Sequence, residues 1–164
     1  MDDLYYSFSW GGILSGNAHI YINGQPLSPV VEFPEGVTDW GDLLSQCQDI
    51  TKVIIPTTAT NQGSLNGCNN LQSIVYKNTN AIPSSGNYRY WNCTYPDRSI
   101  YVYSMAAWCA FDPNLYGNSF FQSNTTTNNH LYLNDSLVTS VTIPNTVSKI
   151  GNLAFYRCHD ITSL

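Results

Sequence analysis

Val31-Glu32-Phe33-Pro34-Glu35-Gly36-Val37-Thr38-Asp39-Trp40-Gly41-Asp42-Leu43 aligns without a gap on Val141-Thr142-Ile143-Pro144-Asn145-Thr146-Val147-Ser148-Lys149-Ile150-Gly151-Asn152-Leu153. Both stretches run on to a cysteine and an apolar-Thr-polar-apolar close: Cys47 with Ile50-Thr51-Lys52-Val53, and Cys158 with Ile161-Thr162-Ser163-Leu164. Each close opens the next copy, because Val53-Ile54-Ile55-Pro56 repeats the apolar-x-apolar-Pro signature of Val31 to Pro34. The period is therefore about 22 residues, the length of one unit that buries its apolar face only against its neighbours. A weaker third copy runs from Val53 through Cys68 to Leu71-Gln72-Ser73-Ile74, and a decayed fourth starts at Ile74-Val75-Tyr76, where the regular stack is expected to break off.

One unit can be read residue by residue. Val141, Ile143, Val147 and Ile150 supply inward side chains for a short strand and its return. Pro144 ends the strand by removing a ladder donor, and Gly151 relieves a tight bend. A larger unit also recurs. His19-Ile20-Tyr21-Ile22-Asn23-Gly24 before the Val31 copy mirrors His130-Leu131-Tyr132-Leu133-Asn134-Asp135 before the Val141 copy. Asn-Gly between apolar alternations signals a hairpin, and Asn-Asp is a weaker form of it. One domain over residues 1–164 is therefore expected, with an N-terminal segment at 1–18 and a hairpin with the first block at 19–77. A closing insertion follows at 78–129, and the hairpin and start of a second block at 130–164. Within the insertion, Ile100 to Tyr103 reads as a strand and Ser104 as the N-cap of a short helix over Met105 to Phe111, stopped by Pro113.

The same signature resembles the BspA-type leucine-rich repeat of microbial surface proteins, whose turns read apolar, Ile-Pro, Val, Ile-Gly, Ala-Phe and Cys. Val141 through Ala154-Phe155-Tyr156-Arg157-Cys158 matches it position by position. In the first block Trp40 replaces the Ile before Gly41 and Leu44-Ser45 replaces Ala-Phe, while the copy from Val53 lacks both Ile-Gly and Ala-Phe. The resemblance implies a repeat solenoid, a right-handed stack of short β-strands with turns and little helix. It also implies a bacterial or protist cell-surface or extracellular module that adheres to host or matrix protein or glycan.

Composition limits the partners. Charged residues are 10% of the 164 and the formal net charge is -5, against roughly 25% charged residues in an average soluble protein. The first basic residue is Lys52. Phosphate backbones need clustered Lys and Arg, so nucleic acid is excluded as a partner. No apolar run approaches the roughly 20 residues of a membrane span. The acidic start Met1-Asp2-Asp3 is not a secretory leader, so either a leader has been removed or export takes another route. Leu164 falls where a strand should begin, which predicts a truncated chain or end-to-end association through that repeat.

Cys47, Cys68 and Cys158 share one repeat position and are expected to form a structural column of buried thiols. Cys93 and Cys109 lie outside the column and could pair as a disulfide. No Cys-x-x-Cys or His pairing at ligand spacing points to zinc, and Asp39, Asp42 and Asp49 lack the spacing of a calcium loop, so neither a metal nor another cofactor is expected. His19 and His130 are repeat-equivalent hairpin residues, and adjacent Cys158 and His159 are poorly placed to act as nucleophile and base. Asn92, Asn124 and Asn134 each open a glycosylation acceptor triplet. The ligand-binding candidates are Tyr88, Tyr90, Trp91, Tyr95, Tyr101 and Tyr103, with Trp108 beside them. Amphipathic rings suit protein or sugar recognition, although rings are also what the end of a stack needs as a cover. No nucleophile motif, paired-carboxylate site or phosphate cradle points to an enzyme. The expected function is a binding or adhesion module, and the alternative is a spacer or receptor-binding part of a larger assembly such as a phage fibre.

Overall fold

In a computed structural model of the chain the described residues are 21–22, 24–61, 63–65, 67–83, 97–112, 128–152 and 154–164. The elements run β1 (Tyr21–Ile22), β2 (Gln25–Pro26), β3 (Val30–Glu32), β4 (Lys52–Ile55), β5 (Ser73–Tyr76), β6 (Asp97–Val102), α1 (Met105–Ala110), β7 (Asn128–Leu133) and β8 (Ser136–Leu137). β1 and β2 form the first hairpin, with Gly24 at φ 76° in its turn. β3 to β7 lie side by side in chain order as one parallel ladder, and β8 folds back antiparallel on β7. Asn134 and Asp135, at φ 49° and 63°, make that second hairpin turn without glycine.

The register turns the strand alternation into columns. Val31, Val53, Ile74, Ile100 and Leu131 are mutual Cα partners across the ladder. Ile55, Tyr76, Val102 and Leu133 form a second column on the same face. All but Val31 and Leu133 are buried, and each buried aliphatic side chain contributes about 1.5–3 kcal/mol. At the start of this face Arg98 and Asn129 are register partners and also buried. Asn129 donates its N–H to Arg157 O at 3.0 Å and its Nδ2 to Tyr156 O at 2.7 Å, tying β7 to the last turn.

The 22-residue period is visible as hydrogen bonds. Gly36 N–H donates to Thr58 Oγ1 at 2.9 Å, Thr57 Oγ1 to Glu35 Oε2 at 2.8 Å, and Asn70 Nδ2 to Gln48 O at 2.8 Å, each pair 22 residues apart. The second block reuses one of these devices. Thr51 donates both N–H and Oγ1 to Pro29 O, at 2.7 and 3.2 Å, and Thr162 does the same to Thr139 O, at 2.9 and 3.2 Å. Beside the latter, Ser140 and Ser163 form a parallel bridge.

The return segments share a turn that the repeat alignment alone does not announce. Gln46, Gly67 and Arg157, each directly before a repeat cysteine, have φ of 64°, 76° and 57°. Each cysteine then donates its N–H three residues back, Cys47 to Leu44 O, Cys68 to Leu65 O and Cys158 to Phe155 O, at 3.2 Å in all three. Left-handed backbone costs an L-residue roughly 1–2 kcal/mol, so a turn kept at Gln46 and Arg157 is enforced by the packing around it.

The structure changes four expectations. The ladder does not stop at Tyr76, since β6 pairs with β5 and β7 with β6. Ile150 does not point inward and is 45% exposed. The equivalent Trp40 is buried, stacked on Phe33 at 4.9 Å, and the following copy makes room for it with Gly63, where a Cβ would lie 2.4 Å from the indole. Gly151 serves close approach rather than a bend: a Cβ there would lie 1.8 Å from Phe111 O. The helix forms where its cap is, with Ser104 Oγ accepting from Ala107 N–H at 3.1 Å, and it ends at Ala110 rather than Phe111, which is its C-cap.

Candidate functional site

The outer face of the ladder is set by the same register. Glu32, Ile54, Val75, Tyr101 and Tyr132 are consecutive Cα partners on it, as are Val30, Lys52, Ser73, Ser99 and His130. Tyr101 and Tyr132 stack at 4.5 Å between centroids with 15° between planes. Lys52 Nζ lies 5.3 Å from the Tyr101 centroid, within cation–π range. The result is a half-exposed stripe, Lys52–Tyr101–Tyr132, across three strands.

Polar pairs frame the stripe. Lys77 reaches Glu32 at 2.6 Å, and this bond together with the carboxylate charge raises the lysine above its ordinary value. Tyr103 donates its hydroxyl to Asp135 at 3.3 Å, and burial followed by the Asp135 charge pushes the phenol up. On the opposite side His130 Nδ1 meets Asp160 Oδ2 at 2.6 Å, with Asp97 Oδ1 3.9 Å from Nε2.

Of the predicted ligand residues, Tyr101 and Tyr103 lie here; Tyr88, Tyr90, Trp91 and Tyr95 lie outside the described residues. Trp108 is a core residue, fully buried with Nε1 donating to Ala154 O at 3.0 Å. Lys52, Tyr132 and Asp135 were not singled out from sequence. The signal for Tyr132 was present, since it alternates with Leu131 and Leu133 as Tyr101 does with Ile100 and Val102.

Cys47, Cys68 and Cys158 are buried free thiols, and Cys68 Sγ donates to Leu44 O at 2.9 Å. Cys109 is likewise buried and free, and Cys93, its possible partner from sequence, lies outside the described residues. Burial raises the Cys47 and Cys109 thiols, and burial with the nearby Asp160 charge pushes Cys158 up to about 12. A thiol held protonated in this way is a poor nucleophile, and His159 beside it is exposed. Asp39 accepts from Gly41 N–H at 2.8 Å as a turn residue. Among the described residues no group of three or more His, Cys, Asp or Glu is placed to hold a metal ion, and no helix is long and apolar enough to cross a membrane. Asn134 sits exposed in the hairpin turn; His19, Asn92 and Asn124 lie outside the described residues.

A parallel ladder whose inner columns recur at 21 or 22 residues from β3 to β5, with return turns closed on cysteine, is the geometry the repeat signature demands. Residues 27–101 match the family model for the BspA type leucine rich repeat region, in 6 copies. Over this segment the chain is similar to BspA-type leucine-rich repeats. The match covers β3, β4, β5 and most of β6, while the Val141 copy lies beyond it, tied to Cys109, Trp108 and Asn129 through Gly151, Ala154 and Tyr156. The family is a repeat scaffold associated with surfaces and protein binding and is typically non-enzymatic. No curated protein and no solved structure matches the chain.

Proposed function

We propose that the chain is a non-enzymatic adhesion module of a microbial cell surface that holds an extracellular host or matrix protein or glycan on the outer face of its sheet. The observation that carries this reading is the Lys52–Tyr101–Tyr132 stripe: large rings, already ordered by stacking, next to a cation. Rings ordered before binding lose little entropy on contact, which is why Tyr is favoured at binding hot spots. Tyr88, Tyr90, Trp91 and Tyr95 belong to the same proposal through their position in the chain just ahead of β6. Cys47, Cys68 and Cys158 take a structural role. A right-handed winding of the repeats is supported by the parallel pairing of successive strands, because such crossovers are right-handed in about 98% of cases.

The test is a screen of the chain against immobilised extracellular-matrix proteins and glycans, with a Tyr101→Ala, Tyr132→Ala double variant checked for folding by circular dichroism. Saturable binding that weakens at least about tenfold in the folded variant supports the proposal, since hot-spot truncations cost 2 kcal/mol or more. Absence of binding by the intact chain would sink it and move the reading to a spacer in a larger assembly.

A further inference from the structure

A second site lies away from the sheet face, where the insertion meets the second block. A cleft of about 430 Å³ opens between α1 and the turn of the Val141 copy. That volume falls in the range of small-ligand sites, roughly 300–1,000 Å³. Its floor is one side of the helix, Ala106, Ala107 and Ala110. Methyl groups there leave the space that a larger side chain would fill.

The far wall is mixed, with Val147 between polar residues. Thr146 and Ser148 bring hydroxyls, Lys149 brings a cation, and Asn80 brings an amide from the start of the insertion. Lys149 makes no ion pair among the described residues. Asp112 also lines the cleft, where it accepts from Asn152 Nδ2 at 3.2 Å.

The two walls are fastened to each other. Gly151 N–H donates to Cys109 O at 2.7 Å, and Trp108 Nε1 donates to Ala154 O. Gly151 itself allows the turn to lie directly on the backbone of Phe111 and Asp112. The cleft is thus formed before any ligand arrives, with one wall from the insertion and the other from the second block, and largely pre-formed clefts are the usual setting of small-molecule sites.

We infer that this cleft binds one acidic sugar unit, a ring bearing a carboxylate and several hydroxyls such as a uronic or sialic acid residue. The carboxylate pairs with Lys149. Ring hydroxyls exchange hydrogen bonds with Thr146, Ser148, Asn80 and Asp112, and the C–H face rests on the alanine methyls. The inference goes beyond the sheet-face reading and does not depend on it.

Titration of the chain with glucuronic acid, N-acetylneuraminic acid and glucose, followed by calorimetry and ligand-observed NMR, tests it. Acidic sugars should bind with a Kd on the order of 1 mM, a level suited to one exposed sugar unit. Lys149→Gln should weaken them at least about tenfold, as expected for a hydrogen bond to a charged group. Ala106→Leu should abolish binding by filling the floor while leaving the helix intact, because leucine is a strong helix former. If that variant misfolds, Ala110→Leu at the exposed rim fills the same space. The Tyr101→Ala, Tyr132→Ala variant should bind acidic sugars unchanged, which separates this site from the sheet face. No binding at tens of millimolar, equal affinity for glucose, or indifference to both Lys149→Gln and the filling variant would each overturn the inference.

Discussion

Residues 29–78 and residues 97–164 are built on one ladder but held together in different ways. In the first region the same small bonds recur every 21 or 22 residues, from Thr51 to Pro29, Thr58 to Val37, Asn70 to Gln48 and Asn78 to Thr57. No single one dominates. In the second region the strand spacing stretches, with Ser73 paired to Ser99 and Ser99 to His130, and a few large contacts do the holding: Trp108 on Ala154, Gly151 on Phe111, Asn129 on Tyr156. Regular repeats spread stability over many nearest-neighbour contacts, whereas a junction concentrates it where the period fails.

The strongest way to break this contrast is Trp108→Ala. Removing a fully buried indole should cost about 3–5 kcal/mol, against about 0.5–1.5 kcal/mol for Ile55→Val at a buried column position in the regular region. Urea unfolding of the two variants compares them directly, and equal losses would mean that the junction is no more concentrated than the repeats. Gly151→Ala comes next, at about 1–3 kcal/mol, because the new Cβ meets backbone rather than a movable side chain. Hydrogen exchange at the Gly151 amide should accelerate in that variant, since its bond to Cys109 O cannot survive the displacement.

Legibility followed the same division. The period, the inward residues of β4 and β5, both hairpins and the Ser104 cap could be read because each is a local pattern of a few residues. The extension of the ladder through β6 and β7 could not. Its spacings depart from 22, and no Pro follows Val102 or Leu133 as it follows Phe33 and Ile55. The Lys52–Tyr101–Tyr132 stripe depends on register between residues far apart in the chain, which no single segment encodes. The left-handed turn was hidden for a different reason. Glycine marks it only at Gly67, while Gln46 and Arg157 adopt it because the neighbouring repeats hold them there.

That turn gives a sharper and smaller test. Gly67→Ala should cost about 1–2 kcal/mol for the left-handed backbone, and its Cβ would also press on the Gln46 side chain, 2.3 Å from Oε1. Gln46→Gly should move stability the other way by up to about 1 kcal/mol, the relief of strain being partly offset by the entropy glycine loses on folding. Thermal melts of both variants should therefore shift in opposite directions. If both destabilise, the Gln46 side chain against Gly67, and not the backbone geometry, is what the position selects.

The smallest effect concerns a single bond of the regular region. Glu35 accepts from Thr57 Oγ1 at 2.8 Å and from Thr57 N–H at 3.2 Å, and these bonds hold its carboxyl below the ordinary carboxylate value. A carboxyl whose folded pKa is depressed stabilises the fold above its unfolded pKa, and that contribution fades as pH falls through the folded value. Any Glu35 contribution should accordingly be present at neutral pH and vanish on acidification below the ordinary glutamate range. Thr57→Val keeps the side-chain shape, removes the hydroxyl donor that is the largest cause of the shift, and leaves the backbone donor in place. The Glu35 carboxyl, followed by NMR titration, should then move up toward its ordinary value without reaching it. An unchanged titration would show that the 22-residue contact between Glu35 and Thr57 is not made in solution, and the case for evenly shared bonds in this region would lose one of its clearest members.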